Sequence, residues 1–370
     1  MPPPGPQLPS TSPFLPPGRQ QQRSSVSRRR RRWWIAAAGV IALAAVAAGA
    51  VAIARGSHTR QAHHRGGRLA RVAPRVTVAA PPPRSPVGLA LGKPAFRLAG
   101  LGSSAADPVR VPFHAPPRAG LLFDLSTGRV LWQRNATRRL PIASLTKMMT
   151  ALLTVGSSEP DEPVLVTREA VDADGSKVGV LPVRRHVPLE SMLYGLLLPS
   201  GNDAAVALAQ HAAGSVSRFV EHMNREAAKL GLGCTRFSSP SGFIDRHNYS
   251  CVRDLAVLAH VDLGQPRLAR VVRSRSAVLP FPIKGGKLFL YNNNPMLIYH
   301  YPGATGMKTG YTVAAGRCLV ATAERHGIKL GAVLLDSPEP GIQARVLLDD
   351  AFEHVYRQAP VRELPFPPHA

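Results

Sequence analysis

A run of 22 residues without a charged or hydroxyl side chain, residues 33–54, sits directly behind five consecutive arginines at positions 28–32. No amphipathic stripe runs through it, and at ~1.5 Å rise per residue it is long enough as a helix to cross a ~30 Å hydrocarbon layer. The arginine block predicts that the N-terminal end stays in the cytoplasm and that everything after Ala54 lies outside, with Trp33 and Trp34 at the interface. A cleaved signal peptide is the competing expectation, because Ala50-Val51-Ala52 is a small-x-small site. In either case the run divides the chain into two parts that cannot share a core.

The charge follows the same division. Residues 1–110 carry 17 Lys and Arg and a single acid, Asp107, a net of +16, whereas the other 29 bases and 21 acids leave +8 of the total of +24. The excess therefore belongs to a tail rather than to a basic globule, which argues against a nucleic-acid partner. Arg267, Arg270, Arg273 and Arg275 do cluster, but without interleaved aromatics they read as solvated surface. Residues 1–32 are a Pro/Arg-rich cytoplasmic tail and residues 55–110 a basic, Pro/Gly-punctuated linker, both expected to be disordered. His58, His63 and His64 have no carboxylate or thiol cluster beside them, so no metal is expected. Three cysteines exclude a disulfide scaffold.

Regular pattern begins near Val111, which places a folded domain at residues 111–358 and a short tail at 359–370. Residues 120–125 and 129–132, separated by Ser126-Thr127-Gly128, read as a strand, a tight turn and a strand. Residues 144–155 and 190–198 read as apolar helices, and 203–212, 216–230 and 252–263 as amphipathic ones, with Gly231 a helix stop. Residues 317–323 and 330–335 read as strands and 343–356 as a closing helix. That order predicts one α/β (α+β) domain with a mainly antiparallel sheet against a helical region.

Three short motifs carry the chemistry: Ser144-Leu145-Thr146-Lys147, Ser200-Gly201-Asn202 and Lys308-Thr309-Gly310. Singly they are weak; their conjunction in this order is the signal. The chain has 8 lysines against 38 arginines, yet lysine fills both basic positions. A guanidinium does not deprotonate in proteins, whereas a desolvated lysine can. The apolar neighbours Met148, Met149, Leu152 and Leu153 fit a buried Lys147 better than a helix-surface one. Positions i and i+3 share a helix face, so Lys147 is within reach of the Ser144 hydroxyl, and burial beside a second cation such as Lys308 lowers its pKa. Ser200 offers a hydroxyl relay, Asn202 an amide for a substrate peptide group, Lys308 and Thr309 a charge and a donor for a carboxylate, and Gly310 close approach of substrate to a strand.

On these residues, together with Pro141-Ile142-Ala143, Leu198-Pro199, Asp203-Ala204-Ala205, Met223-Asn224, Leu230-Gly231-Leu232 and Gly306-Met307 with Tyr311-Thr312, the chain resembles the low-molecular-mass penicillin-binding serine D-alanyl-D-alanine carboxypeptidases over about residues 112–356. The resemblance implies a β-lactamase/transpeptidase-like fold, a five-stranded sheet with helices on both faces. It implies Ser144 as acyl-enzyme nucleophile, Lys147 as proton acceptor and Ser200 completing the catalytic set. Asn202, Lys308, Thr309, Gly310 and Tyr311 would bind a peptidoglycan stem peptide ending in D-Ala-D-Ala, and the backbone N–H groups of Ser144 and Tyr311 would form the oxyanion hole. Arg345 is the nearest candidate for an arginine that helps hold the carboxylate. β-Lactams are expected as inhibitors, no cofactor is expected, and no second β-domain is expected to follow. D,D-endopeptidase action is the alternative. A serine β-lactamase is less favoured, because no Glu-x-x-Leu-Asn segment supplies a deacylating base and Glu221-His222-Met223-Asn224 has the wrong spacing. Cys251 stands where the family commonly has Thr or Ala; outside the membrane it can pair with Cys234 or remain free, and Cys318 reads as a buried thiol.

Overall fold

The computed structural model describes residues 96–102, 107–243, 246–283 and 285–360. The expected cytoplasmic tail, apolar run and most of the linker lie outside the described residues, as does nearly all of the C-terminal tail. No helix of the described residues is long and apolar enough to cross a membrane.

Strands β1 (Ala119–Asp124) and β2 (Val130–Arg134) form the expected hairpin, and β3 (Leu140–Pro141) leads through a 3-10 turn, Ala143–Thr146, into α1 (Lys147–Ser157). In the helical region β4 (Pro163–Leu165) precedes α2 (Arg168–Asp172) and β5 (His186–Pro188), and α3 (Leu189–Leu197), α4 (Asn202–Ala213) and α5 (Val216–Lys229) pack around α1. β6 (Tyr249–Ser250), α6 (Val252–Leu263) and α7 (Pro266–Val272) follow, then the hairpin of β7 (Ser276–Pro280) and β8 (Lys287–Tyr291), and α8 (Pro295–Ile298). Three long strands, β9 (Ala304–Thr312), β10 (Gly316–Arg325) and β11 (Ile328–Leu335), and helix α9 (Pro340–Asp350) end the domain.

The main sheet has the order β2-β1-β11-β10-β9, every pair antiparallel. Alternation along its strands makes two cores, because successive side chains point to opposite faces. Leu121, Phe123, Val320, Val333 and Leu335 face the helical region with α1, α3, α4 and α6. Leu122, Leu319, Ala321, Ala332 and Leu334 face Ala344, Leu347 and Leu348 of α9 and Phe352 beyond it. Helices therefore cover both faces, as expected. Local signals set the helix ends. Ser215 caps α5 by accepting from the Arg218 N–H, and Phe219, Met223 and Ala227 make its buried stripe at four-residue spacing.

Part of the expected linker is packed instead. Ala99 exchanges backbone bonds with Gly128 and Val130, both 2.9 Å, and the Val109 N–H donates to Leu131 O at 3.0 Å. The buried Asp107 carboxylate accepts from the Gln133 N–H at 2.9 Å and from its Nε2 at 3.1 Å. These residues cover the outer edge of β2, which would otherwise present unpaired N–H and C=O groups. The disulfide left open by the sequence is present: Cys234 and Cys251 are joined, with Cα atoms 5.6 Å apart, and Cys318 is a buried thiol outside that disulfide.

Candidate active site

The pairing of β3 with β6 delivers the chain to the turn that carries Ser144. Ala143, just before it, takes φ 47°, a left-handed value uncommon for a residue with a Cβ. Gly242, also left-handed, lies beneath this turn, and any Cβ there would collide with Ala143 O and Thr146 Oγ1. Thr146 Oγ1 donates to Ala143 O at 2.8 Å and accepts from Asn248 Nδ2 at 2.9 Å, and Thr150 Oγ1 donates to Pro240 O at 2.7 Å. The segment around Ser241 is thus bound to the first turns that present the serine.

Lys147 opens α1 and is completely buried. Its Nζ lies 2.9 Å from Ser144 Oγ, 2.6 Å from Asn202 Oδ1 and 2.8 Å from Ser241 O. The two carbonyl oxygens can only accept, so a neutral amine must turn its two N–H bonds to them, and its lone pair is left facing the serine hydroxyl. Burial first, and then the charge of Lys308, hold the Lys147 pKa well below the ordinary lysine value, against an opposing pull from Asp203. Asp203 is itself satisfied by backbone, accepting from the N–H groups of Val178, Gly179 and Ala204.

Lys308 is also buried, and burial pushes its pKa down to about 7. Among the described residues its one hydrogen bond is donated to Thr309 O at 2.9 Å, which leaves N–H bonds of the ammonium for a ligand. Ser200 lies on the turn between α3 and α4 with φ 67°, and its buried Oγ has no hydrogen-bond partner among the described residues. A cleft of about 370 Å³ is lined by Ser144, Ser200, Thr309, Gly310, Tyr311 and Arg317 among others, none of them acidic. Ser144, Ser200, Thr309, Gly310 and Tyr311 therefore face one space, while Lys147, Asn202 and Lys308 stand buried around it.

Three expectations change in detail. Asn202, expected to meet substrate, has both ends of its amide inside the protein: Oδ1 accepts from Lys147, and Nδ2 donates to Asp174 O at 2.5 Å. Gly310 lines the cleft and also serves the packing of the serine turn. A Cβ there would stand 3.0 Å from Ile142 O and 3.2 Å from Ser144 N, so β9 lies directly against the serine turn. The guanidinium at the cleft is Arg317, opposite Tyr311 in the β9–β10 register, and not Arg345, which is half-buried on α9. Sequence reasoning also missed the Ser241 carbonyl, whose only outward sign is a turn-forming Pro240-Ser241-Gly242.

A serine whose hydroxyl meets a buried lysine one turn on, beside an antiparallel strand bearing a second buried lysine, defines a site for serine acyl transfer on the penicillin-binding DD-peptidase fold. The chain belongs to the D-alanyl-D-alanine carboxypeptidase family of S11 peptidases, whose family model matches residues 110–339. It is 34% identical over 243 residues to the D-alanyl-D-alanine carboxypeptidase DacF of Bacillus subtilis, an alignment covering 64% of this chain and 62% of that protein. It is 34% identical over 255 residues to DacB2 of Mycobacterium tuberculosis, covering 67% of this chain and 86% of the relative. Among solved structures, a D-alanyl-D-alanine carboxypeptidase of M. tuberculosis H37Rv superposes with a TM-score of 0.62 at 32% identity, over 68% of this chain and 96% of that one. A variant of a Streptomyces DD-transpeptidase does so with a TM-score of 0.61 at 31% identity, over 65% and 99%.

Proposed function

We propose that the protein is a serine D-Ala-D-Ala carboxypeptidase that removes the terminal D-alanine of peptidoglycan stem pentapeptides through an ester on Ser144, and that penicillins acylate the same serine. The observation that carries this reading is the Lys147 amine held by two carbonyls with its third direction on Ser144 Oγ. Neutral Lys147 takes the hydroxyl proton as Oγ attacks the carbonyl of the penultimate D-Ala. The oxyanion forms against the backbone N–H groups of Ser144 and Tyr311, which Gly310 allows to lie side by side. The proton then passes from Lys147, by way of the Ser200 hydroxyl, to the departing amine; D-alanine leaves, and water cleaves the ester. Lys308, Thr309 and the Arg317 guanidinium hold the terminal carboxylate in a cleft without an acid to oppose it. Asn202 acts through Lys147 rather than on substrate.

Cross-link cleavage is the second reading, favoured by a 32% identical relative of Pseudomonas aeruginosa named D-alanyl-D-alanine endopeptidase. Product analysis separates the two: free D-Ala from a pentapeptide, with a cross-linked dimer left intact, supports the carboxypeptidase. Rapid turnover of penicillin in place of stable labelling would overturn the assignment in favour of a β-lactamase. We infer further that the catalytic domain works outside the cytoplasm, tethered by residues 33–54. The buried disulfide and the apolar run behind five arginines support this placement. Alkaline carbonate extraction checks the tether, since release of the full-length chain into the supernatant excludes it.

A further inference from the structure

We propose that the Cys234–Cys251 disulfide is a positioning element for the catalytic base, which it serves by clamping the segment that brings the Ser241 carbonyl to Lys147; this rests on the reading of Lys147 as the base. The two cysteines close the base of a narrow hairpin. Inside them the Arg236 and Tyr249 backbones exchange bonds at 2.9 and 3.0 Å, and the Thr235 and Ser250 hydroxyls meet at 2.7 Å. From that stem extends the chain carrying Pro240, Ser241 and Gly242 on one side and Asn248 on the other. These are the residues that receive Thr150, hold Lys147, underlie Ala143 and tie Thr146.

Only one residue pair, Arg236 with Tyr249, bridges the two arms directly, while β3 holds the Tyr249 arm and the Asn224 amide holds Phe237 on the other, so the disulfide is the one covalent tie between the arms. The Ser241 contact nevertheless has a demanding task. If that carbonyl withdraws, the amine keeps a single fixed N–H, at Asn202, and its lone pair is free to swing away from Ser144. Withdrawal also opens the wall around Lys147, and burial is the largest cause of its lowered pKa. Of the charged groups acting on it, Lys308 on β9 and Asp203 on α4 stay in place when the hairpin loosens. Relief of burial therefore moves the lysine upward, toward its ordinary value.

The test uses the full-length chain and two paired variants, Cys234→Ala with Cys251→Ala and Cys234→Ala with Cys251→Val, the second keeping more of the buried volume. The second-order rate of Ser144 acylation by a fluorescent penicillin is followed across pH, well below each protein's melting temperature. Folded variants are expected to acylate about tenfold more slowly, the scale of a sub-ångström misplacement, with the acidic limb of the profile displaced to higher pH. Tyr356→Phe is the control for plain destabilisation: it removes the bond from Tyr356 to Asp124, remote from the site, and should lower melting without moving the profile. Wild-type rate and profile in the folded pairs overturn the proposal, as does an equal displacement in the control. Failure of both pairs to fold overturns it too, since the disulfide is then a staple of the whole domain. If the wild-type protein itself takes no label, the acyl-enzyme reading falls and takes this inference with it; labelling of the wild type with indifferent variants removes the inference alone.

Discussion

Lys308→Met replaces a buried ammonium by an apolar side chain of similar length, and the structure sets the size of the effect. The Lys308 pKa falls from 10.5 in the unfolded chain to about 7 in the fold, with burial as the cause and no acid as partner. Because the folded value is the lower one, the unfolded state binds more protons between the two, and stability rises with pH across that window. Below about pH 7 both states are protonated, and the buried charge costs about 5 kcal/mol at about 1.4 kcal/mol per unit. At pH 9 the same two values leave a cost of about 2 kcal/mol, and above the unfolded value it disappears. The wild-type protein should therefore gain about 3 kcal/mol between pH 6 and pH 9 that the methionine variant does not gain. Urea unfolding of both proteins at the two pH values measures this directly, as the difference of differences in midpoint times slope. Parallel behaviour of the two proteins refutes the reasoning, since it means that Lys308 keeps its proton in the fold, solvated or paired with an acid.

Other substitutions probe the remaining parts of the site. Lys147→Arg should abolish penicillin labelling, or slow it by about 10²- to 10⁴-fold, because a guanidinium cannot accept the serine proton; labelling at the wild-type rate would show that another base serves. Ser200→Ala should slow D-Ala release with no loss of melting temperature, because the hydroxyl it removes has no partner among the described residues; a large drop in melting temperature contradicts this. Gly310→Ala should fold, but the new methyl must push Ile142 O or the Ser144 amide by a few tenths of an ångström, so acylation should fall about tenfold. Arg317→Ala should raise KM for the pentapeptide about tenfold with kcat held, the mark of uniform binding of the carboxylate, whereas Arg345→Ala should leave both unchanged.

How far the site was legible depends on which part of a residue does the work. The Ser144 and Lys147 side chains are one helical turn apart, a relation that spacing states outright, and it holds although the first turn is 3-10 rather than α. The sheet was readable where strands alternate between two cores, as in 121–123 and 330–335, and unreadable in the β7–β8 hairpin, whose Val278 and Phe289 are apolar yet exposed. Asn202 was placed at the site, but its bonds to Lys147 and Asp174 O were not legible, since an amide with a donor and an acceptor end fits a substrate peptide as well as it fits a lysine. Gly310 signals a close approach to the strand; it does not signal whose atoms make it. The Ser241 carbonyl was invisible, because every residue has one. The packed residues 96–102 and 107–110 were lost in a Pro/Gly-rich average, where the single carboxylate Asp107 closes a sheet edge.

On the proposed mechanism, the choice of lysine at both buried cationic positions, in a chain with 38 arginines, follows from the proton that the reaction would move. Burial makes both lysines hold their protons reluctantly, and the charge of Lys308 adds to the downward shift at Lys147. A substrate carboxylate at Lys308 reverses that shift for Lys308 alone, because it hydrogen-bonds the charged form directly and reaches Lys147 only at longer range. Burial, reinforced by the charge of Lys308, favours neutral Lys147, and the two carbonyls at Asn202 and Ser241 keep its lone pair on the serine. On the proposed mechanism, binding of a substrate carboxylate would thus leave the pair's remaining proton on Lys308 and the free lone pair on Lys147. Arginine at either position would remain charged throughout and remove that division.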